Sequence, residues 1–260
     1  MRALKLTGVA IAALTGAALV ASPGIGANRD ALRQIVQEQC LVHWVERHDP
    51  EPCERVEPED PLHHDSGFAV LADRKGGAHF LLIPTRSISG IESPELVLPD
   101  APNYFAAAWQ ARDRLAAVIG HDIARNAIGL AVNSKHARSQ DQLHIHIECL
   151  RREVFDALSE AGPRLGAAWA PLSIGPASYS ARRLSGEDLN GQNPFKLLRD
   201  EVPEARRDMS AYTLVVAGAD EKSGSGFIVM AGTTVAGELL LDSTCAVASN
   251  GARLQTHGTR

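Results

Sequence analysis

Residues 133–148 read Asn133-Ser134-Lys135-His136-Ala137-Arg138-Ser139-Gln140-Asp141-Gln142-Leu143-His144-Ile145-His146-Ile147-Glu148. The second half alternates polar with branched apolar residues, so on an extended strand Gln142, His144, His146 and Glu148 share one face and Leu143, Ile145 and Ile147 the other. Two imidazoles, an amide and a carboxylate then stand in one row. The loop before them holds Asn133, Lys135, Arg138, Ser139 and Gln140, the residues of a site built for a phosphate.

The chemistry that suits such a set is attack on phosphorus. A histidine that attacks needs a lone pair on one ring nitrogen while the other is held as a donor, which fixes tautomer and aim. Carbonyls of neighbouring strands can supply the orienting acceptor. A pyrophosphate under attack needs several donors to meet the charge that develops, and the loop provides them densely.

The elements that must position this strand follow from periodicity and turn residues. Asp30 to about Arg47 has helical spacing behind Asn28 or Asp30 as cap, and the proline-rich, acidic stretch to Pro61 reads as a loop. Gly67 to Ala72 and His79 to Ile83 form a hairpin around Asp73-Arg74-Lys75-Gly76-Gly77. Asn103 caps one amphipathic helix running to Ile119, Ile128 to Val132 is a strand, and Arg151 to Ala161 is a helix. The order predicts an α+β fold around an antiparallel sheet. Beyond residue 163, Tyr212 to Ala217 and Phe227 to Ala231 echo the earlier hairpin, and Gly237 to Asp242 is expected as a strand. This part has no His-x-His, so it completes the sheet or forms a degenerate second lobe.

With 260 residues, 45% hydrophobic and 22% charged, the chain can bury one large core or two modest ones. A net charge of −5 and 5% aromatics argue against a nucleic-acid surface. Arg2 and Lys5 precede an uncharged apolar run from Leu6 to Ala21 and a small-residue exit, the pattern of a signal peptide or an N-terminal membrane anchor over residues 1–27. The rest of the chain is then expected outside the cytoplasm, at the membrane or free in the envelope. An oxidising compartment favours a Cys40 to Cys53 disulfide; pairing of Cys149 with Cys245 stays open.

These residues resemble the histidine triad superfamily of nucleotide hydrolases and transferases, whose motif alternates three histidines with apolar residues. The strand His79-Phe80-Leu81-Leu82-Ile83-Pro84 extends the match upstream. Pro84 to Glu92, the Arg138 to His146 core and the exported amino end are most similar to the CDP-diacylglycerol pyrophosphatase family. The resemblance implies a histidine-triad-like antiparallel sheet with flanking helices and hydrolysis of CDP-diacylglycerol to CMP and phosphatidate through a histidine-nucleotidyl intermediate, without a metal or other cofactor. Its substrate side is CDP-diacylglycerol or a related nucleotide diphosphate at a membrane lipid surface, and residues 28–162 are the catalytic region, with 163–260 the extension.

One triad position is not histidine, which leaves two registers. If Asn133 matches the family's phosphate-side asparagine, His146 is the nucleophile, His144 the second histidine, and Glu148 replaces the third. If Ser139 matches the family's phosphate-binding serine, Gln142 replaces the first histidine and His144 attacks. The first register needs no gap and also aligns Gln140, and it is preferred, although it puts Asp141 where a hydroxyl is usual. The implied phosphate set is Asn133, Lys135, Arg138, Ser139, Gln140 and Gln142, with Glu148, Asp73 (a ribose acceptor or simply a turn residue) and Arg86 as further candidates. His79 opens its strand and reads as a packing residue outside the site. Two other readings stand beside this one: a metal-dependent hydrolase with His144, His146 and Glu148 as ligands, joined by His63 or His64, and a non-catalytic exported module that binds a nucleotide or lipid.

Overall fold

The alternating segments pair into one antiparallel sheet in a computed structural model that describes residues 28–57, 67–220 and 224–248. The leader expected over residues 1–27 and the His63-His64 turn lie outside the described residues. The strands are β1 Arg55–Glu57, β2 Phe68–Ala72, β3 Phe80–Pro84, β4 Ile128–Val132, β5 Ile145–Leu150, β6 Ala170–Ile174, β7 Ala177–Ser185, β8 Thr213–Gly218, β9 Gly226–Gly232 and β10 Leu241–Asp242. Their spatial order is β1-β2-β3-β5-β4-β8-β9-β7-β6, with β10 paired to β5 beyond the end of β3. The order β2-β3-β5-β4 recurs as β6-β7-β9-β8, and the two runs abut where β4 pairs with β8. With helices flanking this sheet, the fold is α+β.

Alternation along β5 decides what the sheet buries. Leu143, Ile145, Ile147 and Cys149 enter a core that also holds Phe105, Trp109, Phe195 and Phe227 from the covering helices and from β9. The opposite face of the sheet is covered by the helix Arg152–Ala161, whose Val154 and Leu158 pack with Leu172, Val215 and Met230. A third cluster lies under the amino-terminal helix, where Val36 and Cys40 meet Ala69, Leu71, Leu81 and Ile83. That helix runs through Ala31–Gln34, a π-helical stretch Ile35–Cys40 and Leu41–Arg47, and the Cys40–Cys53 disulfide fastens it to the loop before β1. A second disulfide joins Cys149 to Cys245, so both pairs fit an oxidising compartment. No helix among the described residues is long and apolar enough to cross a membrane.

Two expected elements take a different form. Asn103 does cap its helix, its side chain accepting from Ala106 N at 3.2 Å, but the helix is broken into Tyr104–Ala111 and Asp113–Ile119. The Arg112 guanidinium donates to Trp109 O, the carbonyl that the next turn of an unbroken helix would use, and lies over the indole. The strand expected from Gly237 to Asp242 is a 3₁₀ turn, Gly237–Leu240, followed by only the two residues of β10. Asn133 Oδ1 accepts from Gly237 N at 2.7 Å and Glu238 N at 3.4 Å, which takes those N–H groups out of any ladder.

Candidate active site

Gln142, His144, His146 and Glu148 are all buried, on the face of the histidine strand opposite its apolar residues. Antiparallel pairing of β3 with β5 sets Phe80 against Ile147 and Leu81 against His146, and so brings His79, one residue earlier, beside the histidine row. His79 stacks on His146 with ring centroids 5.2 Å apart and its Nε2 3.0 Å from His146 Nδ1. The same Nε2 is 3.2 Å from Glu148 Oε1, while His79 Nδ1 faces Asp73 Oδ1 at 3.7 Å. His79 is therefore not a bystander of the core, as its place at a strand opening suggested; its role is visible only once the register is known.

On its other side His146 presents Nε2, which is buried without a hydrogen-bond partner and lies 3.8 Å from Glu238 Oε2. His144 is held differently: its Nδ1 is 2.8 Å from Gln142 O, so that ring nitrogen carries the proton and donates it to the carbonyl. Both imidazoles wall a cavity of about 390 Å³. Its polar lining is completed by Asp73, Arg74 and Lys75 from the β2–β3 turn, by Asn133, Ser139 and Gln140, and by Glu238 from the far end of the chain. Ala31, Leu32, Ile35, Leu71 and Leu81 make an apolar wall.

The electrostatics keep this cluster neutral. Loss of hydration holds the His146 imidazole well below its usual range, reinforced by His144, His79 and Lys75, and burial also lowers His144 and His79. Glu148 is pushed up to about 8, first by burial and then by the nearby charges of Asp73 and Glu238. At pH 7 the histidines have free lone pairs and Glu148 is a neutral acid, the condition for a nucleophilic imidazole rather than an ion pair.

Several expected phosphate ligands are used elsewhere. Arg138 is buried and donates to both oxygens of Glu92 at 2.6 and 2.8 Å and to Asp141, so its guanidinium is spent on carboxylates and does not line the cavity. Lys135 is exposed and away from the cavity, and Arg86 is exposed, with its carbonyl accepting from Gln142. Gln142 Nε2 donates to Pro84 O and Arg86 O at 2.9 Å each, which ties the end of β3 to the histidine strand. Gln140 spans the cavity edge to the amino-terminal helix, accepting from Leu32 N and donating to Asn28 O. Asn133 has its oxygen committed to the Gly237–Glu238 backbone, which leaves its amide N–H groups to offer. Ser139 is exposed at the cavity. The cations at the site are Arg74 and Lys75, which the sequence marks only as a hairpin turn, and Glu238, 90 positions after Glu148, has no local signal at all.

Fold and site together define an α+β protein whose antiparallel sheet presents buried, neutral histidines to a cavity edged with cations. The chain belongs to the CDP-diacylglycerol pyrophosphatase family, whose model matches residues 27–249. It is 42% identical over 229 residues to the CDP-diacylglycerol pyrophosphatase of Yersinia pestis, an alignment covering 85% of each chain. Among solved structures it is similar to a GalT-like protein from Arabidopsis thaliana at 12% identity and a TM-score of 0.44, over 74% of this chain and 81% of that one.

Proposed function

We propose that this chain hydrolyses the pyrophosphate bond of CDP-diacylglycerol, giving CMP and phosphatidate, with His146 Nε2 as the nucleophile. The observation that carries the histidine step is that Nε2, buried and without a partner, stands at the cavity wall while Nδ1 is engaged by His79. In the reactive tautomer Nδ1–H donates to His79 Nε2, and the lone pair of His146 Nε2 attacks the cytidylyl phosphorus. The bond to the phosphatidyl oxygen breaks and phosphatidate leaves. Positive charge then appears on the ring of His146, and His79 Nε2 can take the Nδ1 proton because the Asp73 carboxylate faces the other nitrogen of His79. Water completes the cycle by releasing CMP from the histidine.

The diphosphate would be met by Lys75, Arg74, the Asn133 amide and Ser139, a set drawn more from the β2–β3 turn than from the loop before β5. His144 Nε2 is the nitrogen to orient or protonate the leaving oxygen, since a bound dianion favours the protonated ring. Asp73 stands where it can also accept a ribose hydroxyl, and the apolar wall suits an uncharged part of the ligand. The part of the chain from residue 163 acts as a degenerate partner lobe: β9, in the place β5 holds in its own run, carries no titratable side chain. The leader would bring the site to a lipid surface outside the cytoplasm, where the disulfides persist.

A second reading rests on one observation: ligand atoms of His79, His146 and Glu148 all lie within 4.8 Å of one another, a group that could hold a divalent ion. Single turnover of CDP-diacylglycerol in ¹⁸O-water with and without EDTA separates the two. The histidine route places ¹⁸O in CMP and is indifferent to the chelator. Loss of CMP release with EDTA, restored by zinc, favours the metal.

A further inference from the structure

The second half of the chain delivers one side chain to the reacting nitrogen. Glu238 sits on the Gly237–Leu240 turn with Oε2 3.8 Å from His146 Nε2 and the same distance from Lys75 Nζ. Its side chain is 31% exposed, against 4% for His146, so it borders both the buried nucleophile and the solvent of the cavity. The other acid of the cavity lining, Asp73, is turned to a different histidine, with Oδ1 accepting from Lys75 N at 2.7 Å and facing His79 Nδ1. Glu148 meets His79 Nε2, the same atom that meets His146 Nδ1, so it stands on the Nδ1 side of the His146 ring.

The turn that carries Glu238 is fastened at every point. Asn133 holds its first two N–H groups, and a Cβ at Gly237 would stand 3.0 Å from both Ala131 Cβ and Thr213 Cγ2, tighter than ordinary contact, so glycine eases the close approach of the turn. Behind it Leu240 and Leu241 are buried, β10 pairs with Leu150 and Cys149 of the histidine strand, and Cys245 is bonded to Cys149. An acid held this firmly beside a nucleophile opposes the first step by its charge, since the substrate is an anion. Its benefit must come later in the cycle, when the nitrogen is already bonded to phosphorus and a water has to be made nucleophilic.

We propose that Glu238 is the general base of the second half-reaction, a role that rests on the histidine-adduct reading above. Its carboxylate takes a proton from water as the water oxygen bonds to the cytidylyl phosphorus. The phosphorus–Nε2 bond breaks, its electron pair returns to His146, CMP leaves, and the proton passes from Glu238 to solvent. Lys75 neutralises Glu238 while the diphosphate first binds.

Rapid-quench kinetics with CDP-diacylglycerol test this on the full chain. Glu238→Gln should release about one equivalent of phosphatidate per enzyme in a burst, then turn over on the order of 10²-fold or more slowly, with CMP trapped on the protein. Added formate should restore turnover to Glu238→Ala. Glu238→Gln turnover equal to that of the parent overturns the role, and so does a variant that loses the burst and turnover together. A Glu238→Gln protein whose trapped CMP survives His146→Ala, or a parent that puts ¹⁸O from water into phosphatidate, shows instead that the adduct reading itself has failed.

Discussion

At the scale of single residues, the protonation of one imidazole row controls the site, and Glu148 gives it a pH signature. Its acid form is favoured in the fold, with a pKa near 8, whereas in the unfolded chain it ionises near the ordinary value of 4.5. Between those values the native state binds the extra proton, so stability falls as pH rises from about 5 through 8 and levels off above. Each tenfold change in an ionisation constant between the two states is worth about 1.4 kcal/mol. Glu148→Gln should therefore lose this decline: urea midpoints at pH 6 and pH 9 should differ less in the variant than in the parent, and equal differences contradict the placement. The lowered histidines act in the opposite sense, since the unfolded chain takes up their protons first and stability is lost as pH falls below about 6.5. Arg138 is a structural cation. Arg138→Met should cost on the order of 3 kcal/mol in unfolding free energy, by stranding Glu92, while leaving KM for the substrate within a few-fold.

The row itself was legible in the sequence, because alternation along a strand is a local property. The fate of Arg138 was not, because a donor in a loop is equally suited to a phosphate and to a carboxylate, and Glu92 lies 46 positions away. His79 was missed for a related reason: its partner is set by the β3–β5 register, not by its neighbours in sequence.

At the scale of elements, the 237–245 segment shows how a short turn can be worth more than a strand. Read alone, Gly237 to Asp242 has the apolar residues of a strand; Asn133 and the Cys149–Cys245 bond convert it into a turn that reaches the site. The disulfide closes a loop of 96 residues, for which chain-entropy arguments give about 4 to 5 kcal/mol. Cys245→Ser should lower the thermal midpoint by several degrees. It should also lower kcat more than it raises KM, because the Glu238 turn loses one of its fastenings while the cavity's cations on the β2–β3 turn stay put. A variant that is less stable but has unchanged kcat would show that this bond serves stability alone. The hairpin β2–β3 was plain from its Gly-Gly turn, whereas the break at Arg112 depends on a side chain donating to a carbonyl and leaves no trace in periodicity.

At the scale of the molecule, the same strand order occurs twice and the two runs share one sheet through β4 and β8. That join could not be read from the sequence, since it pairs Leu130 with Val216 across a long separation and both strands are apolar on both faces but for Thr213. The expected consequence is that the region proposed as catalytic, residues 28–162, is incomplete alone. A fragment ending at residue 162 should aggregate or stay unfolded, because it would expose β4 as a bare apolar edge and lose both Glu238 and the partner of Cys149. A soluble, active fragment would contradict this division of labour. The proposed cycle runs through covalent chemistry at one nitrogen, and alkaline quench of Glu238→Gln with CDP-diacylglycerol followed by peptide mapping tests it most directly. The expected result is a CMP mass increment confined to the peptide at His146 and abolished by His146→Ala. An increment retained in His146→Ala and lost in His144→Ala, or CMP release with no increment at all and full dependence on a divalent ion, would contradict it.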